Sequence, residues 1–336
     1  MNQIATSSVP LDQLGRSLRD LRISLTDQCN LRCGYCMPAE VFHSGYPFLK
    51  NLEQLSFEEI LRVVKVFVSC GGKKVRLTGG EPLLRKDIPE LVGSLKEIEG
   101  LEEVALTTNG LLLPKYAEEL AEVGLDRITL SLDALNDATF QKMSGRGVGV
   151  DRVLEGMSCA AEVGLPVKVN AVIIKGMNEE EVLPLAEFFR GRSEILRFIE
   201  FMDVGNCNGW SSEQVYSAKE ILADIERRYA LDAVEPNYIG EVARRYKYCD
   251  GAGEVGIIAS VTQPFCRACN RARLSADGKL FTCLFASNGL DLRSVLRGGG
   301  DLEATLRRAW GAREDRYSEI RGNVKEEKIE MSYIGG

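Results

Sequence analysis

The chain has 336 residues, of which 45% are hydrophobic and 27% are charged, and its formal net charge is −7. This acidic balance disfavours a global electrostatic grip on nucleic acid, so we expect no nucleic-acid partner. No apolar run approaches the roughly 20 residues that a membrane-spanning helix needs. Residues 1–20 also lack the basic start and apolar stretch of a signal peptide, so we expect a cytoplasmic protein without a membrane partner.

Six short apolar runs alternate with helical patterns in the first two thirds of the chain. Most of the runs carry β-branched residues, which is typical of strands buried on both faces of a parallel sheet. The runs are 21–26, 74–78, 103–107, 127–132, 167–174 and 195–201. Six such units predict an α/β fold, an incomplete (β/α)6 TIM-like barrel. A flat doubly wound sheet is the alternative, and periodicity does not separate the two.

After about residue 202 the pattern changes. The capping box of Ser217 and Glu220 predicts a helix, Asp277-Gly278 predicts a hairpin turn, and 290–310 is predicted as one helical stretch. We therefore expect an N-terminal segment (1–20), a partial barrel (21–215) and a C-terminal α+β region (216–336) that covers the open side of the barrel.

The cysteine content is the feature of the sequence that indicates the kind of chemistry. The chain has ten of them and one histidine, His43. Without a secretion signal, clustered cysteines favour metal binding over disulfides. A single histidine disfavours His-rich zinc sites and Ser-His-Asp triads, so we expect the chemistry to come from a cofactor.

The first cysteine set follows the first predicted strand. Cys29, Cys33 and Cys36 have the spacing C-x3-C-x2-C. Three thiolates can hold three irons of a [4Fe–4S] cluster and leave the fourth iron open to a small molecule, whereas an electron carrier normally uses four cysteines. A zinc loop or three buried thiols is the alternative.

With an aromatic residue, Tyr35, before its last cysteine, this motif resembles the radical S-adenosylmethionine (SAM) superfamily. The resemblance implies an incomplete barrel whose open iron binds SAM and whose electron cleaves it. Further segments recur at predicted strand ends. By resemblance, Gly79-Gly80-Glu81-Pro82 contacts the methionine amine of SAM and Ser131-Leu-Asp133 is a ribose-contacting position, while Thr107-Thr108-Asn109-Gly110 follows the third strand.

A second cysteine set lies near the C-terminus. Cys266, Cys269 and Cys283 are again three, which leaves a second open iron able to bind substrate. Cys249 is a candidate fourth ligand, which would make the site a saturated cluster or a structural zinc.

Arg271 and Arg273 follow this set. They are two apart on a predicted strand, so they face the same side, and arginine suits bidentate phosphate contacts. A solvated basic edge strand is the alternative. The sequence from Phe265 to Leu280, with Cys283-Leu-Phe285 and the terminal Gly335-Gly336, resembles the GTP 3′,8-cyclase family of molybdenum cofactor biosynthesis.

The resemblance implies a reaction. A 5′-deoxyadenosyl radical takes hydrogen from C3′ of GTP, and the C3′ radical adds to guanine C8 to give 3′,8-cyclo-7,8-dihydro-GTP. It also implies two [4Fe–4S] clusters, a reductant protein, a homodimer, and a downstream cyclic pyranopterin monophosphate synthase. The Gly-Gly tail is expected to reach the active site.

Site residues follow residue by residue from the resemblance. The first cluster is assigned to Cys29, Cys33 and Cys36, and the second to Cys266, Cys269 and Cys283. The SAM contacts are Tyr35, Gly80, Ser131 and Met202. The GTP contacts are Arg22, Lys74, Arg76, Thr107, Lys168, Arg197, Arg271, Ala272 and Arg273. The first three cysteines with Arg271 and Arg273 are the expected catalytic residues. The alternatives are a peptide-modifying maturase, a non-catalytic iron–sulfur electron carrier, or a zinc-stabilised nucleic-acid binder.

Overall fold

The computed structural model describes residues 9–321 and 327–336. Its first part repeats strand and helix. The strands are β1 (Asp20–Ser24), β2 (Lys74–Thr78), β3 (Glu103–Thr108), β4 (Arg127–Ser131), β5 (Val167–Ile173) and β6 (Ile195–Glu200). The helices are α1 (Phe57–Ser69), α2 (Ile88–Lys96), α3 (Leu113–Glu122), α4 (Asp137–Ser144), α5 (Asp151–Glu162) and α6 (Val182–Phe189). All six predicted strands are confirmed, with ends that shift by at most two residues.

The second part mixes short strands and helices. Its elements are α7 (Ala218–Glu226), β7 (Leu231–Val234), β8 (Arg244–Tyr248), β9 (Glu254–Ile258), β10 (Arg271–Leu274), β11 (Lys279–Phe281), β12 (Leu290–Asp291), α8 (Leu292–Arg297), α9 (Leu302–Gly311) and α10 (Met331–Ile334). The single helix predicted over 290–310 is wrong. Gly298, Gly299 and Gly300 separate α8 from α9, and the positive φ of Gly299, 72°, ends the helical path.

The strands form one sheet in the order β12-β11-β10-β1-β2-β3-β4-β5-β6-β9-β8-β7. Strands β1 to β6 are neighbours in chain order, without the reversal of a doubly wound sheet. Right-handed crossovers then put the helices on one face, and the sheet curves as a partial barrel. The predicted fold class is confirmed.

The C-terminal region does more than cover this barrel. Strand β10 pairs in parallel with β1, and β9 pairs in parallel with β6, so eight parallel strands run side by side. Strands β11 and β12 at one end, and β8 and β7 at the other, are antiparallel. Among the described strands, no pairing joins β9 to β10, so the barrel stays open there.

The two faces of the sheet differ in chemistry. On β1, Leu21 and Ile23 point outward into the hydrophobic core, where they belong to the same cluster as Val64 and Phe67 of α1. Arg22, between them, lines an internal cavity instead. The interior of the barrel is therefore polar and cationic, although the strands are largely buried.

A buried carboxylate ties the barrel to the C-terminal region. The side chain of Glu200, at the end of β6, accepts hydrogen bonds from the backbone N–H groups of Ala218, Val261 and Thr262 at 2.8–2.9 Å. Glu200 is completely buried, so these bonds replace the water that a carboxylate requires. Within the described ranges, no helix is both long and apolar enough to cross a membrane.

Candidate active site

A cavity of about 290 Å³ opens at the C-terminal ends of the barrel strands. Barrel enzymes place their catalytic groups at this end. Both cysteine sets contribute to its wall, namely Cys29, Cys33 and Cys36 from the barrel and Cys266, Cys269 and Cys283 from the C-terminal region. Residues that lie more than 200 positions apart in the sequence thus share one internal space.

The loop of the first cysteine set is fixed by Arg32, which stands inside the motif. Its guanidinium donates to the carbonyls of Cys29 and Leu31 within the loop, both at 2.7 Å, and to the carbonyl of Phe42 at 2.7 Å. The ring of Phe48 lies 5.6 Å from the same guanidinium. The aromatic segment 42–48 therefore supports the cysteine loop from behind.

Gly79 and Gly80 pack against this loop. A Cβ atom at Gly79 would lie 2.4 Å from the carbonyl oxygen of Thr26, and one at Gly80 would lie 2.1 Å from that of Gln28. The N–H of Gly80 donates to Thr26 at 2.8 Å. Their glycine identity is thus required by close approach to the chain itself, and not only by approach to a ligand, as the sequence suggested.

Glu81 connects the ends of two strands at the cavity wall. It accepts from the hydroxyl of Thr108 and the N–H of Asn109, each at 2.8 Å. The amide of Asn109 then donates to Asn30, inside the first cysteine loop, at 2.7 Å. Burial raises the pKa of Glu81 to about 7, against the opposing effect of these bonds.

The predicted SAM contacts surround the first cysteine set. Tyr35, Gly80, Ser131 and Met202 all line the cavity. The hydroxyl of Tyr35 donates to Asp133 at 2.8 Å, and Asp133 also accepts from the N–H of Val172 at 2.8 Å. Their roles toward SAM stay predictions.

The second cysteine set is assembled by a hairpin. Strands β10 and β11 pair around the turn at Asp277-Gly278, as predicted, and the returning chain brings Cys283 back toward Cys269. Cys249 is exposed and follows β8, near the opposite end of the sheet. It is therefore not part of this group.

Two arginines stabilise the thiolate form of Cys269. Arg271 and Arg313 each place a guanidinium nitrogen 3.3 Å from its sulfur. Burial alone would raise the pKa of Cys269, but these two cations outweigh burial and lower it to about 6. Thiolate is the form that ligates iron, so this environment suits a metal cluster.

No three His, Cys, Asp or Glu side chains in the described part of the chain converge as ligands of one metal ion. A [4Fe–4S] cluster does not need such convergence, because each cysteine ligates a different iron. The donor set of each group, three cysteines around one cavity, fits such a cluster.

A row of arginines crosses the interior beside the cysteines. Arg273, Arg22 and Arg76 are register partners on the neighbouring strands β10, β1 and β2, so their side chains share one side of the sheet. Arg197 of β6 faces the same cavity. The row and Arg197 are together called the arginine belt.

The arginine belt has too few partners of its own. Within the part of the chain that the structure describes, the buried Nε atoms of Arg22, Arg76 and Arg197 have no hydrogen-bond partner, and no carboxylate forms an ion pair with any of the four arginines. Burial lowers the pKa of Arg22 well below its usual value, and Arg273 and Arg76 add to this by charge repulsion. Buried unpaired cations call for an anionic ligand.

A second cavity of about 970 Å³ lies toward the N-terminal ends of the strands, and Arg22, Arg76 and Arg197 line both cavities. Lys74 and Lys168 line the second one. Burial, followed by the nearby Arg127 and Arg197, lowers the pKa of Lys168 to about 8.

Three other predicted GTP contacts have different surroundings in the structure. Lys74 is paired with Glu103 at 2.6 Å, so it is partly neutralised. The hydroxyl of Thr107 is buried at the cavity and has no hydrogen-bond partner among the described residues. The side chain of Ala272 belongs to the hydrophobic core, so Ala272 can reach a ligand only through its backbone.

The Gly-Gly tail enters the first cavity. Ile334 is completely buried, Gly336 lines the cavity, and Arg273 donates a hydrogen bond to the carbonyl of Gly335. Tyr333 anchors the tail through its hydroxyl, which lies 2.7 Å from the carboxylate of Asp277. The frayed terminus that two glycines would ordinarily suggest is not what the chain forms.

Three residues beside the second cysteine set carried no signal in the sequence. Asp12, Arg16 and Arg313 are buried around it, and Arg313 follows Cys269 by 44 positions. Nothing in their local sequence marks them, because their contacts depend on the pairing of β10 with β1.

Gly335 offers a direct test of the tail. Its φ is 75°, and a Cβ there would lie 2.3 Å from Cγ2 of Thr78. We expect Gly335→Ala to displace the tail and to reduce turnover of the loaded enzyme by roughly tenfold or more, because small displacements in an active site are costly. Iron content should not change. A variant with full turnover would contradict a positional role, and Gly311→Ala, which meets no atom within 4 Å, is the matched control.

Two family models match consecutive parts of the chain. The family model of the radical SAM superfamily matches residues 23–189, and that of Molybdenum Cofactor Synthesis C matches residues 195–319. Two crystal structures of SuiB from Streptococcus suis have the same fold, at 18% identity. The one bound to S-adenosylmethionine gives a TM-score of 0.62 over 86% of this chain and 68% of SuiB. The one bound to the precursor peptide SuiA gives 0.63 over 91% and 67%.

Full-length relatives are much more similar. GTP 3′,8-cyclases from Xanthomonas axonopodis, Acidothermus cellulolyticus and Staphylococcus aureus are 51%, 48% and 47% identical to this chain. Each comparison covers 97% of this chain and 98% of the relative. This similarity, together with the two matching family models, shows that the chain belongs to the GTP 3′,8-cyclase family within the radical SAM superfamily.

Proposed function

We propose that this chain is a GTP 3′,8-cyclase, which converts GTP to 3′,8-cyclo-7,8-dihydro-GTP for molybdopterin synthesis. The observation that carries the proposal is one interior in which two sets of three cysteines flank a belt of arginines that have no carboxylate partner among the described residues. When bound, the first cluster supplies the electron that cleaves SAM, so that the resulting radical takes hydrogen from C3′ of GTP and the C3′ radical adds to guanine C8. The remaining chemistry falls to the protein's own side chains.

The first cluster is assigned to Cys29, Cys33 and Cys36. Their spacing belongs to the radical SAM family, which uses SAM and a [4Fe–4S] cluster. Around them, Tyr35, Gly80, Ser131 and Met202 are the proposed SAM contacts. Because the hydroxyl of Tyr35 donates its hydrogen bond to Asp133, we propose that Tyr35 contacts SAM through its ring or its backbone.

The second cluster is proposed on the donor set of the C-terminal region. Cys266, Cys269 and Cys283 would hold it, and the absence of a fourth cysteine among the lining residues would leave one iron free for the guanine. The thiolate-favouring environment of Cys269 supports this assignment.

Charge determines how GTP would lie. The triphosphate carries several negative charges, and Arg22, Arg76 and Arg197 sit where the two cavities meet, with Lys168 further toward the N-terminal ends. Phosphates held there direct the ribose back toward the C-terminal ends, where Thr107 and the first cysteines lie. The guanine would then approach the second cysteine set beside Arg271, Arg273 and the backbone of Ala272.

Enclosure is the last requirement of the reaction. A radical generated beside the substrate must be kept from water and from other hydrogen donors. The tail serves this purpose, because Gly335 covers Arg273 and Gly336 closes the cavity wall. We further propose that a protein reductant delivers the electrons, that the chain acts as a homodimer, and that a cyclic pyranopterin monophosphate synthase consumes the product.

The function is tested by anaerobic incubation of reconstituted protein with GTP, SAM and dithionite, followed by mass analysis of the nucleotide. We expect a cyclised product that is an isomer of GTP with the same mass, because the hydrogen lost from C3′ is balanced by the electron and proton gained on reduction; it is separated from GTP by chromatography and accompanied by 5′-deoxyadenosine. An electron carrier would leave SAM intact, and a peptide-modifying enzyme would leave GTP unchanged. Either outcome would contradict the proposal.

Iron content separates the two cysteine sets. We expect about eight irons per chain, the sum of two four-iron clusters, and about half that number after Cys269→Ser. Cys249→Ser is the matched control and should keep both the iron and the activity, since Cys249 is exposed and remote from the cavity. Loss of iron in that control would make the second site saturated, and zinc in place of iron would refute the cluster.

Lys168 makes GTP binding depend on pH. Its pKa is about 8 in the free protein, and a bound triphosphate raises that pKa. Its contribution to affinity is therefore complete below about pH 8 and is lost as the pH rises toward the pKa of the complex. We expect GTP affinity to fall roughly tenfold between about pH 7 and about pH 9 if binding restores the ordinary pKa.

Calorimetric titration with GTP at both pH values measures this effect. Lys168→Met should bind GTP more weakly at neutral pH and should lose most of the decline. Parallel pH profiles for the two proteins would place Lys168 outside the phosphate site.

A further inference from the structure

A buried ion-pair network joins the N-terminal segment to the second cysteine set. The carboxylate of Asp12 lies 2.6 Å from Nε of Arg16 and 3.0 Å from Nη1 of Arg313. The side chains of Asp12, Arg16 and Arg313 are 0%, 3% and 1% exposed. We call these three residues the N-terminal triad.

The two arginines of the triad reach all three positions of the cysteine set. Arg16 donates to the carbonyl of Cys266 at 2.7 Å. Arg313 donates to the carbonyl of Cys269 at 2.8 Å, and to the carbonyl of Thr282, the neighbour of Cys283, at 3.0 Å. One carboxylate thus orients two guanidiniums that together hold the backbone beside every cysteine of the set.

Arg313 also touches a cysteine sulfur directly. Its Nη2 lies 3.3 Å from Sγ of Cys269, while the ring of Trp310 lies 4.5 Å from the guanidinium. The indole N–H of Trp310 in turn donates to the carbonyl of Arg16 at 2.9 Å. The guanidinium is therefore held at its edge by Asp12 and on its face by Trp310, with one N–H left to point at sulfur.

A buried ion-pair network of this kind adds little net free energy to the stability of a fold. Buried ion pairs repay their desolvation only when geometry is good, and well-packed apolar residues often do as well. Outside the triad, the two arginine side chains contact Asp315, through its carbonyl at 2.8 Å from Arg16 and its carboxylate at 3.3 Å from Nε of Arg313. Their other side-chain hydrogen bonds go to Cys266, to Cys269 and to Thr282 beside Cys283. This distribution points to the cysteines, and not to general stability, as the reason for the triad.

We propose that the N-terminal triad consists of positioning residues for the second iron–sulfur cluster. Asp12 fixes Arg16 and Arg313, the arginines fix the three cysteines, and Arg313 gives one N–H to a ligating sulfur. Hydrogen bonds to cluster sulfurs and fixed outer partners tune both metal retention and reduction potential. The inference rests on the proposed function in one respect, since it requires a cluster on Cys266, Cys269 and Cys283.

The experiment isolates that cluster. In full-length protein carrying Cys29→Ser, Cys33→Ser and Cys36→Ser, all iron belongs to the second set. Asp12→Asn, Arg313→Lys and Arg313→Gln are added singly, and iron per chain is measured after anaerobic reconstitution and desalting. The midpoint potential is then measured by redox titration followed by electron paramagnetic resonance.

Arg313→Lys keeps the charge but loses the planar fork, and Arg313→Gln loses both. We expect iron retention to fall in the order parent, Arg313→Lys, Arg313→Gln, with Asp12→Asn below the parent. The potential should shift to more negative values in both Arg313 variants, because a donor to sulfur is lost. A role in stability alone would lower the melting temperature but would leave the potential of the retained cluster unchanged.

Glu59→Gln is the matched control. Glu59 also forms an ion pair between the barrel and the C-terminal region, with Arg297 at 2.7 Å, and neither residue lines a cavity. It should leave iron and potential at the parent values. If Asp12→Asn does not fold, the two Arg313 variants decide the question.

Two results would overturn the proposal. One is parental iron content and potential in Arg313→Gln. The other is an equal loss of first-set iron when the same changes are made in protein with Cys266, Cys269 and Cys283 replaced by serine, since that would mean general destabilisation. Failure of the proposed second cluster itself would look different, because the parent protein would then bind no iron at all.

Discussion

Unpaired positive charge in the interior is the constraint on which the rest of the structure depends. Arg76 and Arg197 are buried and Arg22 is half-buried, and the Nε atoms of all three lack partners among the described residues, in a chain whose net charge is −7. A buried cation costs several kcal/mol unless it is compensated, which is why the belt calls for an anionic ligand. In the proposed function the triphosphate of GTP is that anion, and its position would then determine where the ribose and the base lie.

Every other feature of the site can be understood as serving this placement. Register pairing of β10, β1 and β2 aligns Arg273, Arg22 and Arg76, so the belt exists only once the C-terminal region has joined the barrel edge. The same pairing brings the second cysteine set opposite the first. The tail covers Arg273, and the N-terminal triad holds the cysteine loop from outside. In the proposed binding mode, a substrate held by its phosphates would meet one cysteine set through its ribose and the other through its base.

Local sequence patterns predicted the parts that local physics controls. The strands β1 to β6, the capping box at Ser217 and the turn at Gly278 depend on periodicity and turn chemistry, and all were predicted. The parallel addition of β9 and β10 was not, because a short strand does not specify its partner. The ion pair of Lys74 with Glu103 and the triad around Arg313 were missed for the same reason. Residue roles at the site came from motif resemblance, and their geometry came only from the fold.

The proposed orientation of GTP requires that hydrogen be taken from C3′, since the arginine belt would direct the ribose toward the first cysteine set. The most direct measurement is turnover of GTP carrying deuterium at C3′, with mass analysis of the 5′-deoxyadenosine that is released. We expect the released 5′-deoxyadenosine to carry one deuterium, taken from C3′, and the cyclised nucleotide to have lost it. If 5′-deoxyadenosine forms without deuterium while GTP is cyclised, the radical attacks another position and the proposed orientation of GTP is wrong.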